Sequence, residues 1–217
     1  MKIDKAGIPF IAGALVPAAA LTGARRYGWA TGFVALGAFF AYFFRDPERQ
    51  VPTEPGLVVS PADGRIVIAG DEADARWSPP GKWKQITIFL SPMDVHMNRT
   101  PVAGRVTRIE YKKGTFLPAY KVDASLNELN EVWIDYHGEP IVVRQIVGVL
   151  ARRIVCRVVE GQTLERGERI GLMKFGSRMD VFLPPRAEIL IQAGQQVVAG
   201  ETVLARLLPA SAAGSVA

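Results

Sequence analysis

The sequence predicts a mainly β domain of barrel or sandwich type, preceded by an N-terminal apolar helical hairpin. Three observations carry that expectation. Two apolar stretches open the chain with only Arg25 and Arg26 between them. A segment rich in proline and charge, "FFRDPERQVPTEPG", then ends the apolar region. Beyond it, short β-branched runs recur between Gly, Pro and Asp, with turn signals about every eight to twelve residues and no sustained helical period.

The apolar stretches are Gly7 to Ala24 and Tyr27 to Phe44. Each would span roughly 27 Å as a helix, just enough for the hydrocarbon core of a bilayer. Pro9, Pro17 and several glycines also permit a bent insertion, re-entrant or interfacial, in place of a full crossing. A signal peptide fits less well, because a second apolar segment follows at once and no small-x-small cleavage site leads into polar sequence. Lys2, Lys5, Arg45 and Arg49 flank one side of the pair and Arg25 with Arg26 the other, which favours a cytoplasmic body at the cell membrane. The expected organisation is a membrane-associated hairpin over 1–46, a linker over 47–56 and a β-rich domain over 57–217.

Within that domain the expected strands are "LVVS", "RIVIAG", "KQITIFL", "GRVTRIEY", "EVWIDY", "IVVRQIVGVL", "RRIVCRVV", "DVFLP", "AEILIQAG" and "ETVLARL". Their spacing suits a closed or two-layer β fold. Two phrases echo each other, "VEGQTLERGERIGLM" and "QAGQQVVAGETVLAR", a weak repeat of the kind found in the hammerhead barrels of biotinyl and lipoyl carriers. A carrier modified at Lys174 is therefore one alternative, since Met173-Lys174 resembles the Met-Lys pair of such proteins. A non-catalytic membrane adaptor is another.

Composition narrows the chemistry. A single cysteine, Cys156, excludes a disulfide framework and a Cys-based metal site, and two histidines, His96 and His137, argue against a His-rich metal centre. The formal charge of +5 suits an anionic partner. The basic residues lack the aromatic-rich patterns of an RNA binder, so no nucleic-acid partner is expected, and the hairpin favours lipid.

Three segments could carry a reaction, and each has an ordinary reading. "SPADGR" is a hairpin turn on propensity, with Asp63 forming an Asx turn and Gly64 taking an unusual φ. "FLSPMDVHMNRTPVAG" runs from a buried strand into a loop that bears Asp94, His96, Asn98 and Arg99, where a histidine can be structural or catalytic. "KFGSR" holds Gly176-Ser177, a simple turn unless a base activates the hydroxyl, and only His96 or His137 could readily do so. No Gly-x-Ser-x-Gly elbow surrounds it, which argues against an α/β-hydrolase.

"FFRDPER", "VSPADGRIV", "FLSPMDVHMNRTPVAG", "YKKGTFLPA", "QIVGVLARRIV" and "KFGSRMDVFLP" occur in that order, and together they resemble the phosphatidylserine decarboxylases of the short bacterial and archaeal type, from Phe43 to Pro184. The resemblance implies a proenzyme that cuts itself between Gly176 and Ser177 into a β chain, 1–176, and an α chain, 177–217, which stay together as a heterodimer. Higher homo-oligomers are compatible with it. It implies that Ser177 becomes an N-terminal pyruvoyl group, the covalent cofactor, which forms a Schiff base with the phospholipid substrate without a metal or pyridoxal phosphate. It also implies His96 as the base, with Asp63 orienting the imidazole as in a Ser-His-Asp triad. Arg99 stands where longer members of the family carry a second histidine. Arg45, Arg49 and Arg99 are candidates for the lipid phosphate, with Asn98 beside Arg99 as a further substrate-binding residue.

Overall fold

The computed structural model describes residues 2–116, 126–148, 154–174 and 177–207. Apolar side chains surround both N-terminal helices, α1 (Ile8–Gly23) and α2 (Tyr27–Phe43), which pack against each other as a hairpin. Their outward residues include Leu15, Val16, Trp29, Val34 and Leu36, all exposed although large and apolar. An apolar surface of this kind marks contact with lipid or another apolar phase. Lys5–Gly23 is long and apolar enough to cross a membrane, whereas α2 has 17 residues.

The two ends of the hairpin are fastened together. Lys2–Ile3 pairs antiparallel with Arg45–Asp46. The 47–56 segment then runs along the β domain, where the Gln50 N–H donates to Glu201 and the Arg166 guanidinium donates to the Glu54 carbonyl.

The β domain is built on an antiparallel eight-stranded sheet. Its order is Thr163–Leu164, Gly104–Lys112, Leu129–Tyr136, Glu139–Val147, Ser177–Leu183, Lys84–Leu90, Gly64–Glu72 and Gln196–Val197. Two three-stranded sheets flank it: Ile154–Cys156, Arg169–Met173 and Met97–Arg99 form one, and Glu188–Ile189, Val203–Arg206 and Leu57–Val59 the other. The mainly β expectation is met. Each expected strand phrase contains a strand, and among the described residues of the domain Met97–Arg99, Thr163–Leu164, Arg169–Met173 and Gln196–Val197 lie outside those phrases, the first hidden in what reads as a loop.

Ser177–Leu183 lies near the middle of the large sheet, between Lys84–Leu90 and Glu139–Val147, and every residue in it is buried. Alternation sends Met179, Val181 and Leu183 into the main core with Ile86, Ile88, Ile141 and Val143. Ser177 shares that parity. On the opposite face Arg178 donates to Asp180 at 2.7 and 2.9 Å, and Thr87 Oγ1 donates to the same carboxylate at 2.8 Å. The buried charge is thereby paired and hydrogen-bonded, the condition under which it is tolerated.

The domain contains two matching halves. "VSPADGRIV" (59–67) corresponds to "RTPVAGRVT" (99–107), a repeat in addition to the one noted from the sequence. Ser60 Oγ donates to the Ala62 carbonyl at 2.6 Å and Thr100 Oγ1 donates to the Val102 carbonyl at 2.7 Å. The halves grip each other reciprocally, as the Val59 N–H donates to Pro101 O and the Arg99 N–H to Pro61 O, both at 2.9 Å. A Cβ at Gly64 would lie 2.2 Å from Phe89 O, and one at Gly104 would lie 2.3 Å from Asp135 O, so both positions need glycine for close backbone approach. The later repeat caps these strands in matching ways. The Gly161 N–H donates to Val106 O and the Gly194 N–H to Ile66 O, with φ of 87° and 88° at the two glycines.

Candidate active site

Ser177 and His96 are brought to one region by strand register. Ser177 opens the central strand and faces Leu90 on one side and Val147 on the other. Six residues beyond Leu90 the chain reaches His96, whose carbonyl accepts from the Met173 N–H at 3.4 Å, four residues before Ser177. Gly176 lies outside the described residues. Ser177 is fully buried, and its Oγ has no hydrogen-bond partner among the described residues. A buried hydroxyl without a partner is costly, which makes this serine unusual in a well-packed sheet.

His96 is shaped by its own loop. The Ser91 N–H donates to the Asp94 carboxylate at 2.7 Å and the Asp94 N–H donates to Ser91 O at 3.0 Å, closing a tight turn. The turn presents the Asp94 carbonyl to His96 Nδ1 at 3.0 Å. A carbonyl only accepts, so Nδ1 carries the proton and Nε2 keeps its lone pair. Nε2 is buried and has no partner among the described residues. Burial lowers the His96 pKa to about 4, against the opposing pull of Asp94, so the ring is a neutral acceptor near pH 7. The Phe43 ring lies over it with centroids 4.1 Å apart.

Asp63 is placed differently from expectation. Arg49 donates to both of its carboxylate oxygens, at 2.9 and 2.8 Å, and the Ala199 N–H donates at 2.8 Å. These bonds occupy the carboxylate, and it is the Asp94 carbonyl that fixes the His96 tautomer, so a direct Asp63–His96 triad contact is corrected. Burial holds the Asp63 pKa above its ordinary value, with the Ala199 N–H and Arg49 acting in the opposite sense. The Arg99 N–H donates to Pro61 O at 2.9 Å, which sets the turn bearing Asp63 against the strand that follows His96.

Two of the three arginines considered for the phosphate are committed elsewhere. Arg99 is buried and donates to Gly167 O at 2.8 Å, Pro47 O at 3.0 Å and Asp46 at 3.5 Å. Arg49 holds Asp63. Arg45 differs, because among the described residues its guanidinium donates only to the carbonyls of Tyr42 and Met93, and it lies 3.7 Å from the Tyr42 ring centroid. With Asp4, Phe43, Phe44, His96, Met97 and Leu172 it lines a narrow cleft at the foot of the hairpin. Asn98 is buried. Its Oδ1 accepts from Gln145 Nε2 at 2.9 Å and its Nδ2 has no partner among the described residues.

His137, the other possible base, is exposed in the turn before Glu139–Val147. Val147, beside Ser177, is at the opposite end of that strand, about 26 Å away at ~3.3 Å per residue. Lys174, the site of the carrier alternative, lies over the Phe10 ring at 4.8 Å and is half-buried at the hairpin foot.

What sequence reasoning missed is the docking of "FFRDPER" onto this region. Asp46 receives Arg169 at 2.7 Å, Arg45 reaches the His96 loop through Met93 O, and Arg49 binds Asp63. The density of alternating charge after an apolar helix was the available signal.

The profile of the phosphatidylserine decarboxylase family matches residues 36–205. The phosphatidylserine decarboxylase proenzyme of Symbiobacterium thermophilum is 46% identical over 211 residues, covering 94% of this chain and 95% of its own. The proenzyme so named from Solibacter usitatus is 42% identical, covering 96% and 98%, and that from Mycolicibacterium gilvum 43% identical, covering 93% and 88%. Every segment described at the site falls within the matched span apart from the N-terminal residues ahead of it, and this chain belongs to the phosphatidylserine decarboxylase family.

Proposed function

We propose that this chain is a self-processing proenzyme which decarboxylates phosphatidylserine to phosphatidylethanolamine at the membrane surface. The observation that supports the reading best is the pair of buried atoms without a hydrogen-bond partner among the described residues, Ser177 Oγ and His96 Nε2, on neighbouring segments at the foot of an apolar hairpin.

In processing, Ser177 Oγ loses its proton to His96 Nε2 as it attacks the preceding carbonyl, that of Gly176. The peptide C–N bond breaks, leaving an ester on Oγ and a free amine on residue 177. Removal of the 177 Cα proton expels the ester as the Gly176 carboxylate, and water then releases ammonia and leaves a ketone at position 177. That pyruvoyl ketone supplies the electron sink for the departing CO2, the role that pyridoxal phosphate fills elsewhere.

The residues around position 177 suit such a group. The site is buried in an antiparallel sheet, away from water that would compete as a proton donor. His96, neutral again once its proton has passed to the departing 177 amine, takes a fresh proton from solvent in each turnover and returns it to the substrate α carbon. Arg45 offers its charge to the lipid phosphate at the cleft mouth, while the hairpin keeps the acyl chains beside it in the bilayer. Asp63 acts at one remove, holding Arg49 and the "FRDPER" segment against the domain.

Intact-mass analysis tests the reading. Two masses are expected, one for residues 1–176 and one for 177–217 carrying the loss of ammonia, and Ser177→Ala should give a single full-length mass and no CO2 release. Active protein of one uncut chain would overturn it.

A further inference from the structure

The hairpin does more at this site than lie beside it. Phe43 is the last residue of α2, and its side chain is fully buried although the neighbouring faces of both helices are apolar and exposed. It points at the β domain, where it joins Phe44 and Leu172 in a small cluster and its ring overlies the His96 ring at 4.1 Å and 31°. Leu172 is paired with Met97, immediately after His96. Two residues further along the hairpin foot, Arg45 donates to Met93 O at 2.9 Å and so pins the loop that carries the histidine. His96 is therefore held on one face by an aromatic ring from the membrane-facing helix, on Nδ1 by Asp94, and at its backbone by Met173.

We propose that Phe43 is a positioning residue for His96, so that docking of the helical hairpin sets the orientation and dryness of the catalytic base. The proposal rests on His96 serving as the base at Ser177. A ring lying over the imidazole at this distance restrains its plane. It also excludes water from the ring face, which disfavours the charged form. The charged groups around His96 are Asp94 on its own loop, with Arg45 and Asp4 from the hairpin feet lining the same cleft. Asp4 is paired with Arg157 at 2.6 and 2.7 Å, and Arg45 disfavours imidazolium, so the two hairpin groups do not offset the drying effect of Phe43.

Loss of the ring admits water and raises the His96 pKa from about 4 toward its ordinary 6.5. The base then becomes protonated at higher pH, and the acid limb of processing moves upward.

The test uses the full-length chain in lipid vesicles with 13C-labelled histidine. His96 and His137 are the only two histidines, and His137 is exposed, so their ring signals separate. In the Ser177→Ala background, Phe43→Leu keeps an apolar side chain without the ring. It should raise the His96 titration midpoint by about one pH unit or more, and Phe43→Tyr should restore it. In the Ser177-containing chain Phe43→Leu should slow cutting about twofold at pH 5 for a one-unit shift, and leave it nearly unchanged at pH 7, while vesicle co-flotation stays unchanged, because the residue faces the domain. An unshifted His96 midpoint in folded Phe43→Leu, judged by circular dichroism, overturns the proposal. A shifted midpoint with no cutting of the Ser177 chain at any pH would keep the Phe43–His96 coupling but overturn the self-processing reading, and with it the role of His96 as the base that Phe43 positions.

Discussion

The two halves of the β domain share a scaffold and differ where the site is. Each begins with a short strand, turns through Ser-Pro or Thr-Pro to a glycine, and enters a long strand capped by a Gly-Gln turn. In the first half Asp63 precedes the glycine and binds Arg49, whereas the second half has Ala103 there. The first half leaves strand Lys84–Leu90 through the Ser91–Asp94 turn into His96. The second leaves Leu129–Tyr136 through a two-residue turn, His137-Gly138, directly into the next strand. The shared parts bury the core and satisfy the backbone, and the departures from symmetry hold the ionisable groups. One half is thus a control for the other inside the same molecule.

The strongest break of the comparison concerns the histidines. His96→Ala should reduce self-cleavage about 10²–10⁴-fold, the usual contribution of a positioned general base, while His137→Ala should cleave at the unaltered rate. The fraction cut against time on a denaturing gel decides it, and equal rates for the two variants would remove His96 from the mechanism.

Next is the Asp63 difference. Asp63→Ala leaves the largely buried Arg49 cation without its carboxylate, at a cost of about 3 kcal/mol in a denaturant titration. Replacing Arg49 as well should recover part of that loss. No change in midpoint would mean that the pair is not a clamp between the hairpin foot and the domain.

The smallest effect sharpens the symmetry itself. Gly161→Ala and Gly194→Ala place a Cβ where nothing lies closer than 3.6 Å, so the penalty is that of φ near +87° alone. Each should cost about 1 kcal/mol, and the two costs should agree. A marked difference in urea midpoints would show that the turns are not energetically equivalent.

Much of this architecture was legible in the sequence because it is periodic. The hairpin announced itself by apolar length, and the strands by β-branched runs between turn residues. The "TPVAG" repeat was equally legible but masked, since Asp63 and Ala103 differ in the one position that draws the eye. Ser177 and His96 could be named from their segments. The partner of Asp63 could not, because Arg49 reaches it only after 47–56 folds back onto the domain. Phe43 gave no sign either, as an aromatic at the end of an apolar helix reads as lipid-facing until its neighbour is known.

The place of Ser177 at the start of an inner strand has a consequence for assembly. In the proposed proenzyme the cut would free a short chain whose first seven residues are zipped between two strands of the longer one, with Gln196–Val197 and Val203–Arg206 paired to further strands of it. Such a fragment would be woven through its partner along these strands. Maturation would therefore run in one direction, because the fold has to be complete before the bond breaks, and a mature enzyme once denatured would lack the covalent continuity that guided its first folding.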